Sequence, residues 1–304
     1  MDLDGDGYLD ILSGTYSRFE DSMAGLFYVL RGQAGGTFKK AAVLNGTDDE
    51  PLIIPIESEK SQTENICTRP FAIDWDADGD LDLVVGNFAG TFYVFTGEGD
   101  GKFLPKPEQI MAGNDPLRIE GAHSDPFVID WDADGDLDLL SGSSNGGVQW
   151  AENQAGPAKS PQFKRFRTLI KPKPQRGYGS LLSEADLTGP VNSSRVWVDD
   201  VDSDGKRDLL VGDCVTLISP AEGVGEKEFK KKFAEWQKAL DAASAKLSAQ
   251  DDQEEQDQEE QDGEEDDKKE KAKEKRKSFS EVYDERNEFM NEERTGFVWL
   301  YRQK

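Results

Sequence analysis

The chain has 304 residues, with 62 acidic residues against 36 basic ones and a formal net charge of −26 at pH 7. So negative a chain argues against nucleic acid or an anionic membrane surface as a partner, since both would repel it. No apolar run approaches the roughly 20 residues of a membrane span. The two cysteines, Cys67 and Cys214, are too few for a disulfide framework, so two thiols are expected, with a single long-range bridge as the alternative.

The pattern D-x-D-x-D-G-x-x-D occurs four times, as loop 1 (2–10), loop 2 (74–82), loop 3 (130–138) and loop 4 (200–208). Aspartates at positions 1, 3 and 5 converge if the chain curls around one point, and the glycine at position 6 permits the turn. Position 7 offers a carbonyl oxygen, and position 9 closes the shell with a carboxylate. Hard oxygen ligands without His or Cys suit Ca²⁺ and disfavour zinc. The pattern predicts about four structural Ca²⁺ ions, and the alternative is a polar turn that merely tolerates aspartate.

Each loop contributes four carboxylates and one backbone carbonyl to its predicted site. These ligands are Asp2, Asp4, Asp6, Asp10 and the carbonyl of Tyr8; Asp74, Asp76, Asp78, Asp82 and the carbonyl of Asp80; Asp130, Asp132, Asp134, Asp138 and the carbonyl of Asp136; and Asp200, Asp202, Asp204, Asp208 and the carbonyl of Lys206.

An EF-hand would begin in the same way, but it needs a bidentate glutamate at position 12 between two helices. Position 12 is Ser13, Val85, Ser141 or Val211 in the four loops, and none of these is a ligand. The flanks are short, apolar, β-branched runs ended by glycine, which indicate strands on both sides of each loop. The EF-hand interpretation therefore fails.

The repetition extends beyond the loops. A third strand is predicted at 25–32, 90–97 and 146–153, and a fourth at 35–46, 100–113 and 160–170. Repeated units of four strands at intervals of about 50–70 residues are typical of a β-propeller.

On the four loops, and on the G-x-F turns at Gly36–Phe38 and Gly101–Phe103, the chain resembles the FG-GAP/VCBS repeat family. This family comprises the calcium-loop propellers also found in integrin α-subunits and in some lectins and polysaccharide lyases. The resemblance covers about 1–220 and 296–304. It implies an all-β propeller with four recognisable repeats, whereas relatives usually close with about seven blades. Because Met1 directly precedes loop 1, where the other units have a strand, the chain is expected to be a fragment of a longer one.

An insertion interrupts the fourth unit, whose third strand is delayed to 295–304. In the insertion Phe229, Phe233, Trp236 and Leu240 follow a heptad-like spacing, and the stretch at about 250–268 is acidic. We therefore predict propeller repeats at 1–225 and an inserted α-helical coiled-coil hairpin at 226–294 with a disordered tip. Its apolar stripe either seals one helix against the other or binds another protein.

The segments before the first strands align on the loops, so that Arg69, Asp125 and Arg195 fall together, as do Cys67, His123 and Ser193. The resemblance places them at the mouth of the central channel, where relatives commonly bind ligands. His123 is the only histidine, which makes it the one candidate imidazole base and a weak catalytic candidate. The arginines would bind a carboxylate, or form a salt bridge with Asp125.

These observations predict a Ca²⁺-binding module that binds a protein or carbohydrate outside the cytoplasm, because weak Ca²⁺ loops fill best there. Such a module would be secreted, periplasmic or on the cell surface, and it is expected not to be an enzyme. The alternatives are a lyase-like polysaccharide-active enzyme and a lectin, both using the face opposite the loops. A convergent His, Arg and acid in one cleft would favour the enzyme, and a salt-bridged face would favour binding.

Overall fold

The computed structural model describes residues 1–17, 24–55, 63–157, 159–173, 181–257 and 279–303, with backbone alone for 246–257. The chain forms two compact units. One comprises Met1–Gln175, Thr188–Cys214 and Gly296–Lys304, and is called the propeller unit here. The other comprises Arg176–Leu187 and Val215–Thr295, and is called the insertion unit.

The propeller unit is built from four successive antiparallel sheets, which we call blades 1 to 4. Blade 1 contains β1 (Ile11–Gly14), β2 (Phe27–Leu30) and β5 (Ala42–Val43), with the small pair β3 (Gly32–Gln33) and β4 (Thr37–Phe38). Blade 2 contains β6 (Arg69–Ile73), β7 (Asp82–Gly86), β8 (Phe92–Phe95) and β9 (Glu108–Gln109), followed by the pair β10 (Met111–Ala112) and β11 (Asp115–Pro116). Blade 3 contains β12 (Asp125–Ile129), β13 (Asp138–Gly142), β14 (Val148–Ala151) and β15 (Arg167–Ile170).

Blade 4 is formed by β17 (Asn192–Asp199), the first half of β18 (Asp208–Pro220) and β20 (Val298–Tyr301). The chain returns to β20 after the insertion, so the third strand of this blade comes from the end of the sequence. First strands of neighbouring blades lie side by side, β6 against β12 and β12 against β17. This order gives a four-blade propeller arrangement, and each aspartate loop connects to the second strand of its blade.

Alternate residues of the second strands face opposite neighbours, because successive strand side chains point to opposite sides of a sheet. In β7, Leu83 and Val85 join the core between blades 1 and 2, whereas Val84 joins the core between blades 2 and 3. Every residue of β7 and of β13 is buried. After the first aspartate their sequences are apolar apart from Ser141 in β13, which is close to the pattern expected of strands covered on both faces.

A hydroxyl side chain ties each blade to the one before it. Thr68, Ser124 and Ser194 are buried just before or within the first strands of blades 2, 3 and 4. Ser124 Oγ accepts the N–H of Asn87 at 2.8 Å and donates to the carbonyl of Thr91 at 2.7 Å. Thr68 and Ser194 make the equivalent bonds to blades 1 and 3. These contacts bring the carbonyl of the hydroxyl residue against a glycine that ends the second strand.

Within the insertion unit, helix α1 (Glu226–Asp257) packs against a small sheet rather than against a long second helix. The second half of β18 pairs with β16 (Leu181–Leu182) and β19 (Met290–Thr295), and 3-10 helices span Glu184–Asp186 and Glu285–Glu288. The α1 stripe contacts Ile218, Phe289 and Met290, and Trp236 Nε1 donates to the carbonyl of Val282 at 2.8 Å.

The predicted coiled-coil hairpin is therefore not supported. The segment predicted to be its return helix is helical at 279–284, becomes a 3-10 helix at Glu285–Glu288 and ends as strand β19. The predicted acidic tip is helical at 250–257, and its remainder lies outside the described residues. None of the helices in the described part of the chain has the length and apolarity needed to cross a membrane.

Candidate calcium loops and channel mouth

The four aspartate loops share one backbone conformation. The residue at position 4 has a left-handed φ in each of them: 71° at Gly5, 63° at Ala77, 64° at Ala133 and 60° at Ser203. The glycine at position 6 also has a positive φ, between 84° and 99°. Glycine adopts this region without a steric penalty, whereas Ala and Ser at position 4 do so at some cost. Because the same tight turn occurs in all four loops, we infer that it has the same role in every blade.

Inside each loop the first aspartate accepts backbone N–H groups from the turn. Asp200 accepts the N–H of Asp204 and of Gly205, both at 2.9 Å. The aspartate at position 5 accepts the N–H two residues later, as Asp204 does from Lys206. These bonds curl each loop around one point.

The aspartate at position 9 has a different environment from the other three, because it is buried and accepts N–H groups from its own loop and from the residues after the third strand. Asp138 accepts the N–H of Trp131 at 3.1 Å and of Asn153 at 2.8 Å, thereby connecting loop 3 to the second residue after β14. Asp10 and Asp82 make the same pair of bonds in blades 1 and 2. Position 9 is thus a structural tie in addition to being a candidate ligand.

Three carboxylates in each loop have oxygen atoms within 4.8 Å of one another. The clusters are Asp2, Asp4 and Asp6; Asp74, Asp76 and Asp78; Asp130, Asp132 and Asp138; and Asp200, Asp202 and Asp208. Of the predicted side-chain ligands, the structure thus leaves Asp10, Asp82, Asp134 and Asp204 outside these clusters. The predicted carbonyl ligands of Tyr8, Asp80, Asp136 and Lys206 follow in the same turns.

The residues fit a hard cation. Among the described residues, buried carboxylate oxygens without a hydrogen-bond partner remain at Asp4, Asp74 and Asp208, which belong to the carboxylate clusters, and at Asp136 in loop 3. A buried acceptor without a donor is costly, and a coordinated cation would satisfy it. Because the donor set is all oxygen and largely anionic, it suits Ca²⁺ better than a transition metal.

The carboxyl pKa values show where this negative charge is least compensated. Burial raises the pKa of Asp138 to about 6, despite the N–H bonds from Asn153 and Trp131. Burial also raises the pKa of Asp82 and of Asp132, and neighbouring loop carboxylates add to both shifts. At Asp10 burial acts in the same direction, but bonds from Gly32, Leu3 and the Arg31 guanidinium hold the pKa below its usual value.

Basic side chains therefore neutralise some loops and not others. Arg31 lies 2.9 Å from Asp10 and 3.4 Å from Asp4 in loop 1. Lys206 and Arg302 contact Asp204 and Asp202 in loop 4, whereas in loop 3 Arg207 is 4.0 Å from Asp130. Among the described residues, no basic side chain lies within 4.0 Å of a carboxylate in loop 2.

Four of the residues predicted to lie at a channel mouth line one cavity of the propeller unit, which we call the channel-mouth cavity. It has a volume of about 390 Å³ and is lined by Arg69, Asp125, Arg195 and Cys67, together with residues 12–16 of blade 1. Arg195 Nη1 donates to Asp125 Oδ1 at 2.7 Å, so the salt-bridge alternative describes this pair. Burial raises the pKa of Asp125, and the two arginines oppose that shift.

His123 is engaged by its neighbours rather than directed at the cavity with a partner acid. Its Nδ1 lies 3.2 Å from Cys67 Sγ, and its ring packs on Phe88 with centroids 4.4 Å apart. Burial lowers the pKa of His123, and Arg69 and Arg195 lower it further. At this mouth, sequence reasoning aligned Cys67 with His123 but did not foresee their contact. In loop 1, the sequence did not identify Arg31 as a partner of Asp10, because nothing in the sequence marks an arginine 21 residues later as a neighbour of that carboxylate.

Residues 74–141 match the FG-GAP-like repeat family, a span that contains all of loop 2 and loop 3. The comparison with curated proteins returned no match. The matched span runs from the loop of blade 2 to the second strand of blade 3, and the same loop and strand order recurs in blades 1 and 4. The match over residues 74–141 and the four-blade arrangement together support an FG-GAP repeat β-propeller.

Proposed function

We propose that this chain is a calcium-stabilised propeller module that binds a protein or carbohydrate partner outside the cytoplasm. The observation that carries the proposal is the fourfold recurrence of one loop conformation with three carboxylates converging within 4.8 Å. Without a cation the carboxylates repel one another, and burial makes that repulsion costlier at positions such as Asp138. A bound Ca²⁺ would supply the charge and coordination that the turns lack, so it would link ion binding to folding.

The ion would hold the connection between the first and second strands of each blade. In this role the clustered carboxylates would hold the cation, at positions 1, 3 and 5 in loops 1 and 2 and at positions 1, 3 and 9 in loops 3 and 4. The buried aspartate at position 9 also joins the loop to the residues that follow the third strand. Because extracellular modules bind Ca²⁺ at about 0.1–1 mM, loops of this kind would be filled outside the cytoplasm.

The channel mouth is the proposed ligand face. Its cavity of about 390 Å³ falls in the range of small-ligand sites and presents the guanidinium groups of Arg69 and Arg195. A lyase-like activity would need a free base beside an arginine and an acid. His123 is instead bonded to Cys67, and Asp125 is bonded to Arg195, which favours binding over catalysis.

The test is a calorimetric titration of the chain with Ca²⁺, combined with melting curves in millimolar Ca²⁺ and in a chelator. About four bound ions and a higher melting temperature in Ca²⁺ are expected, with Mg²⁺ as the control because it demands a tighter octahedral site. Unchanged melting in the chelator would refute the structural role of the ion. For the ligand face, Arg69→Gln should weaken the binding of an anionic glycan, while the exposed Arg165→Gln should not.

A further inference from the structure

A thiol, an imidazole and a guanidinium meet at the junction of blades 2 and 3. Cys67 Sγ lies 3.2 Å from His123 Nδ1, and Arg69 Nη2 lies 3.7 Å from the same sulfur. Arg69 also donates to the backbone carbonyl of His123 at 3.1 Å, and Phe88 packs on the imidazole ring. Both partners of the thiol are therefore held in place by contacts of their own.

The fold does not require a cysteine at this position. Cys67, His123 and Ser193 occupy the same left-handed turn before successive first strands, with φ values of 56°, 61° and 49°. Three side chains of different chemistry satisfy one turn, so the turn itself does not select a thiol. The cysteine is also only 9% exposed, yet it lines the channel-mouth cavity beside Arg69 and Arg195.

This arrangement places a proton acceptor and a cation beside the sulfur. A neutral imidazole nitrogen can accept the thiol proton, and a nearby guanidinium stabilises the thiolate that remains. Burial and the two arginines that line the cavity lower the pKa of His123, so its ring is neutral at pH 7 and one ring nitrogen carries a lone pair. Asp125 is the acid facing this group, and its salt bridge with Arg195 leaves Arg69 as the cation nearest the sulfur.

We propose that Cys67 is a reactive thiol whose modification site opens into the channel-mouth cavity, with a peroxide as its reactant. His123 Nδ1 takes the thiol proton, and the sulfur attacks one peroxide oxygen as the O–O bond breaks. The leaving oxygen takes the proton from His123 and departs as water or an alcohol. Sulfur is oxidised to a sulfenic acid and the peroxide is reduced, so the step needs no other reactant.

The first experiment measures alkylation of the full-length native chain in millimolar Ca²⁺ by iodoacetamide and by iodoacetate, with peptide mass spectrometry. Cys214, which is half-buried, is the internal reference. We expect Cys67 to be labelled at least about 10-fold faster than Cys214, because the neighbouring imidazole can take the thiol proton as the sulfur attacks the reagent. Equal rates, or labelling of Cys67 only after unfolding, would overturn the proposal.

The second experiment tests the charged neighbour. Arg69→Gln should lower the rate with iodoacetate more than the rate with iodoacetamide, since the cation attracts the anionic reagent. Arg165→Gln, which removes an exposed arginine of the same unit, should change neither rate. Arg69→Lys keeps the charge and should retain much of the preference, which separates a charge effect from misfolding. Identical behaviour of the Arg69→Gln and Arg165→Gln variants would contradict the assigned role of Arg69.

The third experiment treats the chain with hydrogen peroxide and traps sulfenic acid with dimedone. The adduct should form on Cys67, should persist in a Cys214→Ser variant and should be lost in Cys67→Ser. An adduct on Cys214 alone would refute the assignment. Because the Cys67 sulfur contacts His123 and Arg69 rather than a loop aspartate, Cys67→Ser should leave the Ca²⁺ stoichiometry unchanged. The thiol proposal and the calcium proposal can therefore fail separately.

Discussion

The glycine at the end of each second strand allows a direct test of the blade-to-blade packing. In blade 2 this residue is Gly86, and an added Cβ would lie 2.7 Å from the carbonyl carbon of Ser124 and 2.9 Å from Cδ of Pro126. The carbonyl oxygen of Ser124 would be closer still. In blade 4 the equivalent residue is Gly212, and no described atom lies within 4 Å of its Cβ position. One substitution therefore meets backbone of the next blade, and the other meets open space.

The difference in stability between the two variants depends on which atoms must move to accept the added Cβ. An ordinary Cβ contact is 3.4 Å or longer, so Gly86→Ala requires the backbone at Ser124 to shift, and that residue is fixed by its hydroxyl bonds. Overpacking of a tight site costs about 1–3 kcal/mol, and a backbone clash belongs at the upper end. In a unit of roughly 200 residues, about 3 kcal/mol lowers the melting temperature by about 6–12 °C. Gly212→Ala should be neutral or stabilise by up to about 1 kcal/mol, because alanine loses less backbone entropy on folding.

Calorimetric melting and urea unfolding of both variants in millimolar Ca²⁺ would measure these effects. Gly142→Ala, which meets the carbonyl carbon of Ser194 at 2.5 Å, should behave as Gly86→Ala does. Equal stability of the Gly86→Ala and Gly212→Ala variants would show that the blades do not approach each other as closely as the structure indicates. The packing argument for the repeated hydroxyl tie would then be wrong.

Three further predictions concern the loops and the insertion. Replacing Asp132 and Asp134 with alanine should lower the melting temperature in Ca²⁺ and change it little in a chelator; equal losses in both would contradict their role as ligands. Burial raises the pKa of Asp138 to about 6 from 3.8, so the folded state binds its proton more tightly than the unfolded state does. Without Ca²⁺, its contribution to stability should therefore decline as the pH rises from about 4 to about 6, and Asp138→Asn should flatten that part of a pH series of unfolding curves. In the insertion unit, Trp236→Ala should cost about 3–5 kcal/mol in urea unfolding, since it removes a buried ring, whereas the surface variant Lys238→Ala should cost almost nothing.

The aspartate loops were predictable because their information is local. Alternate aspartates, a glycine at position 6 and flanking apolar runs specify a turn between two strands within 20 residues, and the blade order follows from their repetition. The hydroxyl ties were not predicted, because Thr68 or Ser124 before a strand looks like an ordinary turn residue. Its partner lies in the preceding blade, 37 residues away for Ser124 and Asn87.

The return segment of the insertion could not be predicted from the sequence for a different reason. A heptad-like stripe on α1 predicts that one helical face is covered, but it does not say whether a helix or a sheet covers it. Strand β19 has the sequence MNEERT, in which only Met290 is buried. Such a strand has no apolar alternation that could be recognised in the sequence. Backbone pairing with β18 holds this segment as a strand, although its own side chains show no strand pattern.

The four loops also differ in how much of their charge the protein already neutralises, and this predicts two classes of Ca²⁺ site. In loop 1, Arg31 lies beside both Asp4 and Asp10 and provides a fixed positive charge there. Loop 2 has no such contact among the described residues. Burial raises the pKa of Asp82, whereas at Asp10 the N–H groups of Gly32 and Leu3 and the Arg31 guanidinium outweigh burial and lower the pKa. A cation gains more by entering the uncompensated loop, because its attraction to the carboxylates is not reduced by a neighbouring arginine.

Arg31→Gln should therefore make loop 1 resemble loop 2. We expect tighter Ca²⁺ binding by one site in calorimetry and a lower melting temperature in chelator, because the Asp10 carboxylate then loses its cation. Arg118→Gln, which breaks an exposed pair with Glu64, is the matched control and should alter neither quantity. If Arg31→Gln instead weakens Ca²⁺ binding at that site, the arginine orients the ligands rather than competing with the ion. The charge argument for unequal loops would then have to be abandoned.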